Sequence, residues 1–343
     1  MAETRRIVLL TFVFFWVIQQ ANGGIIQIQG HPNQSKEFEE EKDRPQARAA
    51  LTVNVNQVRV DVTVRTRKDN LIQGLQKNHF TIYENKVQQE LTHFSSIEAP
   101  LTAVLVTEYS SVLPWEMLYE AWLGSQIFAQ NMRDDDWIAV MAYDLRPEIL
   151  VDFTQNKNEV FGALRRLNFP GYRESCLYDA IFDVLDRIEE LEGKTAVVLI
   201  SSGLDTFSKI NMDEAMKKVK RTNAVIYPVS IGQNMRLRYE DRFSDSTRLD
   251  FYHADVVLRE FANYTGGEAF FPRFETEFSS IFQTIASLLR NQYSLGYIST
   301  NPKMDGKLRK IKVEVSADVD GDGKNDKLKV VHRRGYLADE KEG

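Results

Sequence analysis

Only one cysteine, Cys176, occurs in 343 residues, so no disulfide can form within the chain and stability must come from a packed core. Five histidines, His31, His79, His93, His253 and His332, are scattered, and no His/Cys pattern has zinc spacing. A glycine-rich phosphate loop is missing, which leaves nucleotide chemistry without its usual cradle. Positive charge is not in excess: 43 Lys and Arg stand against 49 Asp and Glu, a net charge of -6, so nucleic acid is not the expected partner. No apolar run reaches the roughly 20 residues that a spanning helix needs. What is there is ordinary globular material, 43% hydrophobic and 27% charged, in a chain long enough for two domains or one with an appendage.

The amino-terminal residues read as a targeting segment. Arg5 and Arg6 form a positive region, residues 7–18 an apolar run with Phe12, Phe14, Phe15 and Trp16, and Ala21-Asn22-Gly23 a small-residue cleavage site. A signal peptide over 1–23 is expected rather than an uncleaved anchor, with export to the periplasm, cell surface or medium and no further transmembrane segment. A lone thiol suits that route, because it cannot mispair within its own chain. Residues 24–48 include Glu37-Phe38-Glu39-Glu40-Glu41-Lys42-Asp43 and read as a flexible linker, too polar to bury its own surface.

Residues 49–98 then show period two. Leu51, Val53, Val55, Val58, Val60, Val62 and Val64 mark strand material with a break near Asn56-Gln57. Further strands are expected at 80–83 and 87–94, joined by a tight turn at Glu84-Asn85-Lys86. From 99 to 291 strands alternate with helices. Strands are expected at 101–107, 137–143, 149–153, 196–200, 224–231 and 269–271. Helices are expected after Trp115, along Leu177, Ile181, Val184, Leu185 and Ile188, at 212–220, at 256–264 and from Phe278 to Leu289. Residues 235–250 read as a charged, solvated loop. Residues 292–337 return to period two, with strands at 293–299, 309–315 and 327–331, and 338–343 form a tail. The expected fold is α/β, a doubly wound and mostly parallel sheet, inserted in or flanked by a small antiparallel β-sandwich made from the two period-two stretches.

In an open α/β sheet the ligand site lies outside the carboxyl ends of the strands. Three loops there are Thr107-Glu108-Tyr109-Ser110-Ser111-Val112, Ser201-Ser202-Gly203-Leu204-Asp205-Thr206 and Gly171-Tyr172-Arg173-Glu174-Ser175-Cys176. With Thr265-Gly266-Gly267 they resemble the von Willebrand factor type A domain family. Val60-Asp61-Val62-Thr63-Val64, Phe80-Thr81-Ile82-Tyr83-Glu84-Asn85, Tyr293-Ser294-Leu295-Gly296-Tyr297 and Arg333-Arg334-Gly335-Tyr336 further resemble exported bacterial proteins of the acidobacterial type related to that family. The resemblance implies a metal-ion-dependent adhesion site of pattern Asp-x-Ser-x-Ser, then Thr, then Asp, holding magnesium for a partner's carboxylate.

Carried over residue by residue, that site is degenerate. Glu108 replaces Asp, Ser110 matches, Val112 offers no oxygen, Ser175 replaces Thr, and Ser202 replaces the last Asp. Asp205, three residues on, is the other carboxylate within reach. Magnesium wants six hard oxygens, and this set offers little charge, so Mg²⁺ is expected to bind weakly at best. A second metal candidate is Asp318-Val319-Asp320-Gly321-Asp322-Gly323-Lys324-Asn325-Asp326, with carboxylates at loop positions 1, 3, 5 and 9 and Gly at 6. It matches the start of a calcium loop, although Lys329 stands where the EF-hand Glu would be and strands flank it. Ca²⁺ at Asp318, Asp320, Asp322 and Asp326 is expected, against the alternative of a solvated Asp-Gly turn.

The expected function is a non-catalytic, exported protein-binding or adhesion-type module whose partner is a protein or cell-envelope ligand. The alternatives are a calcium-stabilised envelope scaffold and a hydrolase using Ser202 or Cys176, which lacks a base placed nearby in sequence.

Overall fold

The computed structural model describes residues 57–338 apart from 97–99, 112, 168–171, 192 and 275. The expected signal segment, the linker, the strand positions Leu51, Val53 and Val55, the loop residue Val112 and the tail beyond 338 lie outside the described residues.

Period-two sequence forms strands β1 (Gln57–Arg65), β2 (Phe80–Glu84), β3 (Val87–Gln89) and β4 (Leu91–Ser95). Asn85 and Lys86 both take positive φ (47° and 72°), the backbone of a tight hairpin turn. The stretch 87–94 is not one strand: it breaks at Glu90, and its halves join different sheets. Gln89 and Leu91 are both buried, so the chain turns a corner of the sandwich there.

The α/β part follows. It comprises β5 (Leu101–Glu108), α1 (Trp115–Asn131), β6 (Trp137–Tyr143), β7 (Pro147–Thr154), α2 (Lys157–Arg165), α3 (Leu177–Arg187), β8 (Lys194–Ser201), α4 (Met212–Arg221) and β9 (Val225–Ser230). It continues through α5 (Gly232–Tyr239), α6 (Asp245–Thr265) and α7 (Glu277–Arg290). The sheet order is β7-β6-β5-β8-β9, parallel except for β7, which runs back along β6. Side chains of β5 alternate between two cores. Leu101, Ala103 and Leu105 pack with α1, α2 and α7, whereas Val104 and Val106 pack with α3, α4 and α6. Both faces are covered, which is why 101–107 reads as a nearly unbroken apolar run.

Two further expectations are corrected here, and two elements had no counterpart among them. Residues 235–250 are not a loop: α5, a short 3₁₀ turn at Glu240–Arg242 and the start of α6 occupy them. Ser244 caps α6 by accepting the Thr247 N–H at 3.2 Å, and Arg236 pairs with Asp255 at 3.0 Å, so the charges there line a helical surface. Helix α2 had no counterpart in the expectations, since its nine residues include Gly162 and only a short apolar stripe. The expected strand at 269–271 is reduced to one bridge, Phe270 to Val229. The short strand at 335–337 had no counterpart either.

Strands β10 (Tyr293–Ile298), β11 (Leu308–Val315), β12 (Lys329–His332) and β13 (Gly335–Leu337) complete the chain. They interleave with the first four as two sheets, β12-β1-β10-β4 and β13-β11-β2-β3. Their inner faces share one core of Val60, Val62, Val64, Ile82, Leu295 and Val313. Each such fully buried aliphatic side chain contributes about 1.5–3 kcal/mol relative to exposure. The opposite face of β1 is not solvated, however. Asp61 and Thr63 are buried there, and Arg65 pairs with Glu268 of the α/β part.

Candidate functional site

Strand β5 lies centrally and comes first in its sheet; the chain then adds β6 and β7 on one side and β8 and β9 on the other. That reversal opens a crevice between the carboxyl ends of β5 and β8. The last residue of β5 is Glu108 and the last of β8 is Ser201, followed by Ser202.

Glu108 is fully buried, and its carboxylate is surrounded by donors from its own chain. Ser110 Oγ donates to Oε1 at 3.0 Å. Oε2 accepts from Ser202 N at 2.6 Å, Ser202 Oγ at 2.8 Å, Ser201 Oγ at 3.3 Å and Tyr143 OH at 3.4 Å. Tyr143 OH also reaches Ser201 Oγ at 2.7 Å, which in turn accepts the Gly203 N–H at 2.8 Å. Burial raises the carboxyl above its usual range, and the hydrogen bonds from Ser202, Ser110 and Ser201 oppose that shift. Gly203 has φ of +79°, and a Cβ there would stand 2.9 Å from Ala254, so the turn presenting Ser202 requires glycine.

The other expected residues lie outside this network. Ser175 is buried, but its hydroxyl donates to Leu204 O at 3.0 Å, and its carbonyl accepts from Thr206 N at 2.8 Å. It latches the third loop to the second instead of facing Glu108. Asp205 accepts from Tyr178 N at 3.1 Å and from Ser208 Oγ, capping the first turn of α3. Burial raises its carboxyl as well. Cys176 is buried at the start of α3 and its thiol is pushed up to about 12, chiefly by burial, so the thiolate nucleophile is disfavoured.

Tyr143 and Ser201 were missed from sequence. The signals were faint: a doubled Ser201-Ser202 at a strand end, and a tyrosine closing the next parallel strand. The register Glu108 to Tyr143 that joins them exists only once β5 and β6 are paired.

The direction of the hydrogen bonds is what matters for a cation here. A cation needs oxygen lone pairs converging on it, whereas here hydroxyl and amide hydrogens converge on the one carboxylate. Among the described residues, the one acid cluster close enough to share an ion is elsewhere, at Asp318, Asp320 and Asp326, whose ligand oxygens lie within 4.8 Å of one another. That loop joins β11 to β12. Asp318 accepts from Gly321 N at 2.7 Å, Asp322 N at 3.1 Å and Gly323 N at 2.7 Å. Asp326 accepts from Val319 N at 2.8 Å and closes the loop. The fourth expected carboxylate, Asp322, accepts from Lys324 N at 2.8 Å and is outside the cluster. Asp318 and Asp320 are exposed.

Among the described residues no helix is long and apolar enough to cross a membrane. No family model matches the chain, and no curated protein matches it. Several solved structures are similar at low identity. The vWF domain of the type V pili tip protein Mfa5 from Porphyromonas gingivalis is 14% identical over 56% of this chain and 95% of that one, with a TM-score of 0.45. The protein described as von Willebrand factor type A from Catenulispora acidiphila is 10% identical over 76% and 75%, with a TM-score of 0.44. The conserved hypothetical protein BatB from Bacteroides thetaiotaomicron is 13% identical over 55% and 98%, with a TM-score of 0.40.

Proposed function

We propose that this chain is an exported, non-catalytic protein-binding module of the von Willebrand factor type A kind, whose adhesion site has exchanged its metal for hydrogen bonds. The observation that carries this reading is the Glu108 carboxylate, sealed at the carboxyl ends of β5 and β8 by Ser110, Tyr143, Ser201 and Ser202. A family site of this kind recruits a partner's carboxylate through an open position on magnesium. Here Glu108 is buried and engaged by its own chain, so the partner is recognised by the surrounding loop surface. Ser202 Oγ donates a hydrogen bond to a buried carboxylate and is itself buried, which argues against a serine nucleophile.

Isothermal titration with magnesium and manganese tests the metal-free reading: the expected result is no saturable heat. Saturable uptake that Glu108→Ala abolishes would overturn it. Labelling with a fluorophosphonate or iodoacetamide that disappears in Ser202→Ala or Cys176→Ala would overturn the non-catalytic role. Crosslinking of the exported protein in its own envelope identifies the partner, and the module reading fails if crosslinks are insensitive to substitutions in the 107–111 and 202–208 loops.

The convergence of Asp318, Asp320 and Asp326 supports a second element, a calcium ion that stabilises the β11–β12 connection. Exposed extracellular loops of this type bind with dissociation constants of about 10⁻⁴ to 10⁻³ M. A thermal shift with millimolar calcium, lost in Asp320→Ala, is the expected result, and no shift in the unaltered chain would remove the ion from the proposal.

A further inference from the structure

At the opposite end of the parallel sheet from Glu108, the polar face of β1 leaves a cleft against the amino end of β8 and the end of α4. Three cavities share its walls. One of about 350 Å³ is lined by Arg59, His93, Lys194 and Gln292, and one of about 500 Å³ by Arg221, Asn223, Asn301, Lys303, Arg333 and Tyr336. Gln57 borders both, and a third of about 380 Å³ touches Arg59, Lys194's neighbour Gly193, and Arg221. Among the described residues, the first two are lined by no carboxylate, and the third includes Glu189, which pairs with Lys218, in a chain whose net charge is -6.

Two of these cations are short of counter-charge. Arg333 is buried, and its guanidinium donates only to neutral acceptors: Gly335 O at 3.1 Å, Lys220 O at 3.1 Å and Asn223 Oδ1 at 3.3 Å. The Lys194 ammonium donates to Leu289 O. Among the described residues neither makes an ion pair. The buried Asp61 carboxylate lies near both, but it already accepts from Arg59 Nε at 3.2 Å, so one anion serves three cations. Buried charges are ordinarily paired, because desolvation without a partner is expensive. Desolvation accordingly draws Lys194 down to about 8 and Arg333 to about 10.

We propose that these adjoining cavities bind a small ligand carrying two or more oxyanion groups, one held at Arg59 and Lys194 and another at Lys303 and Arg333. The cavity sizes fall within the roughly 300–1,000 Å³ of small-molecule sites. Gln57, Asn223 and Asn301 add amide groups that both donate and accept, which suits an oxygen-rich ligand. Carboxylate, sulfate and phosphate share the required chemistry. The site is independent of the adhesion-type reading and lies away from the Glu108 loops.

The test is isothermal titration of the full chain with citrate, pyrophosphate and a sulfated disaccharide, with cellobiose as the neutral control, at low and physiological salt. Saturable binding of at least one anion, weakened by salt, is expected, and the anion that binds names the source. The exposed variant Lys303→Glu should lose at least tenfold in affinity while keeping its melting temperature. Lys194→Gln should lose a similar factor, with folding checked by circular dichroism. Absence of binding by all three anions, equal binding of cellobiose, or affinity untouched by both variants would overturn the proposal.

Discussion

Glu108 and the 318–326 loop both gather oxygens around acids, yet their surroundings are opposite. Glu108 is one carboxylate in the interior, ringed by hydroxyls and an amide that turn their hydrogens toward it. The loop brings three carboxylates together at the surface, where water and backbone N–H groups ease their mutual repulsion. A buried acid must be satisfied by its own protein or it destabilises the fold. An exposed acid cluster can remain unsatisfied until a cation arrives. The comparison teaches that having acids in a metal-like pattern is secondary to whether hydrogens or lone pairs face the space between them.

The strongest way to break that comparison is Glu108→Ala. Removing the carboxylate strands the donors of Ser110, Ser201 and Ser202 in the interior, and a loss of about 3–5 kcal/mol is expected in urea denaturation. Glu108→Gln keeps one acceptor and should lose about half as much. A stability unchanged in both variants would mean that the network contributes nothing. Gly203→Ala strains the turn that aims Ser202 at Glu108, and a loss of about 1–3 kcal/mol is expected by the same measurement.

A half-buried charge of the other sign sharpens the contrast. Lys194 has its pKa lowered from 10.5 to about 8 by burial. Its charged form is disfavoured in the fold, so the full cost is present below pH 8 and is relieved as pH rises from 8 to 10.5. Across that window the unaltered chain should gain about 1–3 kcal/mol relative to Lys194→Met, read from paired urea midpoints at each pH. A parallel pH dependence of the two proteins would refute the desolvation of Lys194. The smallest effect belongs to the exposed loop. Asp320→Ala should change stability by under about 0.5 kcal/mol without calcium. With calcium at about five times its dissociation constant the unaltered chain should gain about 1 kcal/mol, and the variant should not.

Parts of the site were legible because they are local. Glu108, Ser110 and Ser202 stand at strand ends that apolar runs announce, and Asp318, Asp320 and Asp326 sit in one short loop. Ser175 and Asp205 have the right chemistry at the right loops, but their hydrogen-bond partners, Leu204 O in a neighbouring loop and Tyr178 N in the first turn of α3, are brought near only by packing. Tyr143 and Ser201 entered the network through the registers of β5 with β6 and β8, which no spacing along the chain reveals.

The sequence by itself determined which segments are strands or helices wherever the period was sustained, as along Leu177, Ile181 and Val184 or Val58, Val60 and Val62, because burial of one face imposes that period locally. It also determined that a doubly wound sheet would stand beside strands of another kind. Tertiary structure alone decided that β1 pairs with β10, Val60 opposite Leu295, and that the polar face of β1 is covered by the α/β layer. Alternation announces which face is apolar, but whether the polar face meets water or another layer depends on contacts between residues far apart in the chain. That covering is what buries Asp61 and leaves Lys194 and Arg333 short of counter-charge.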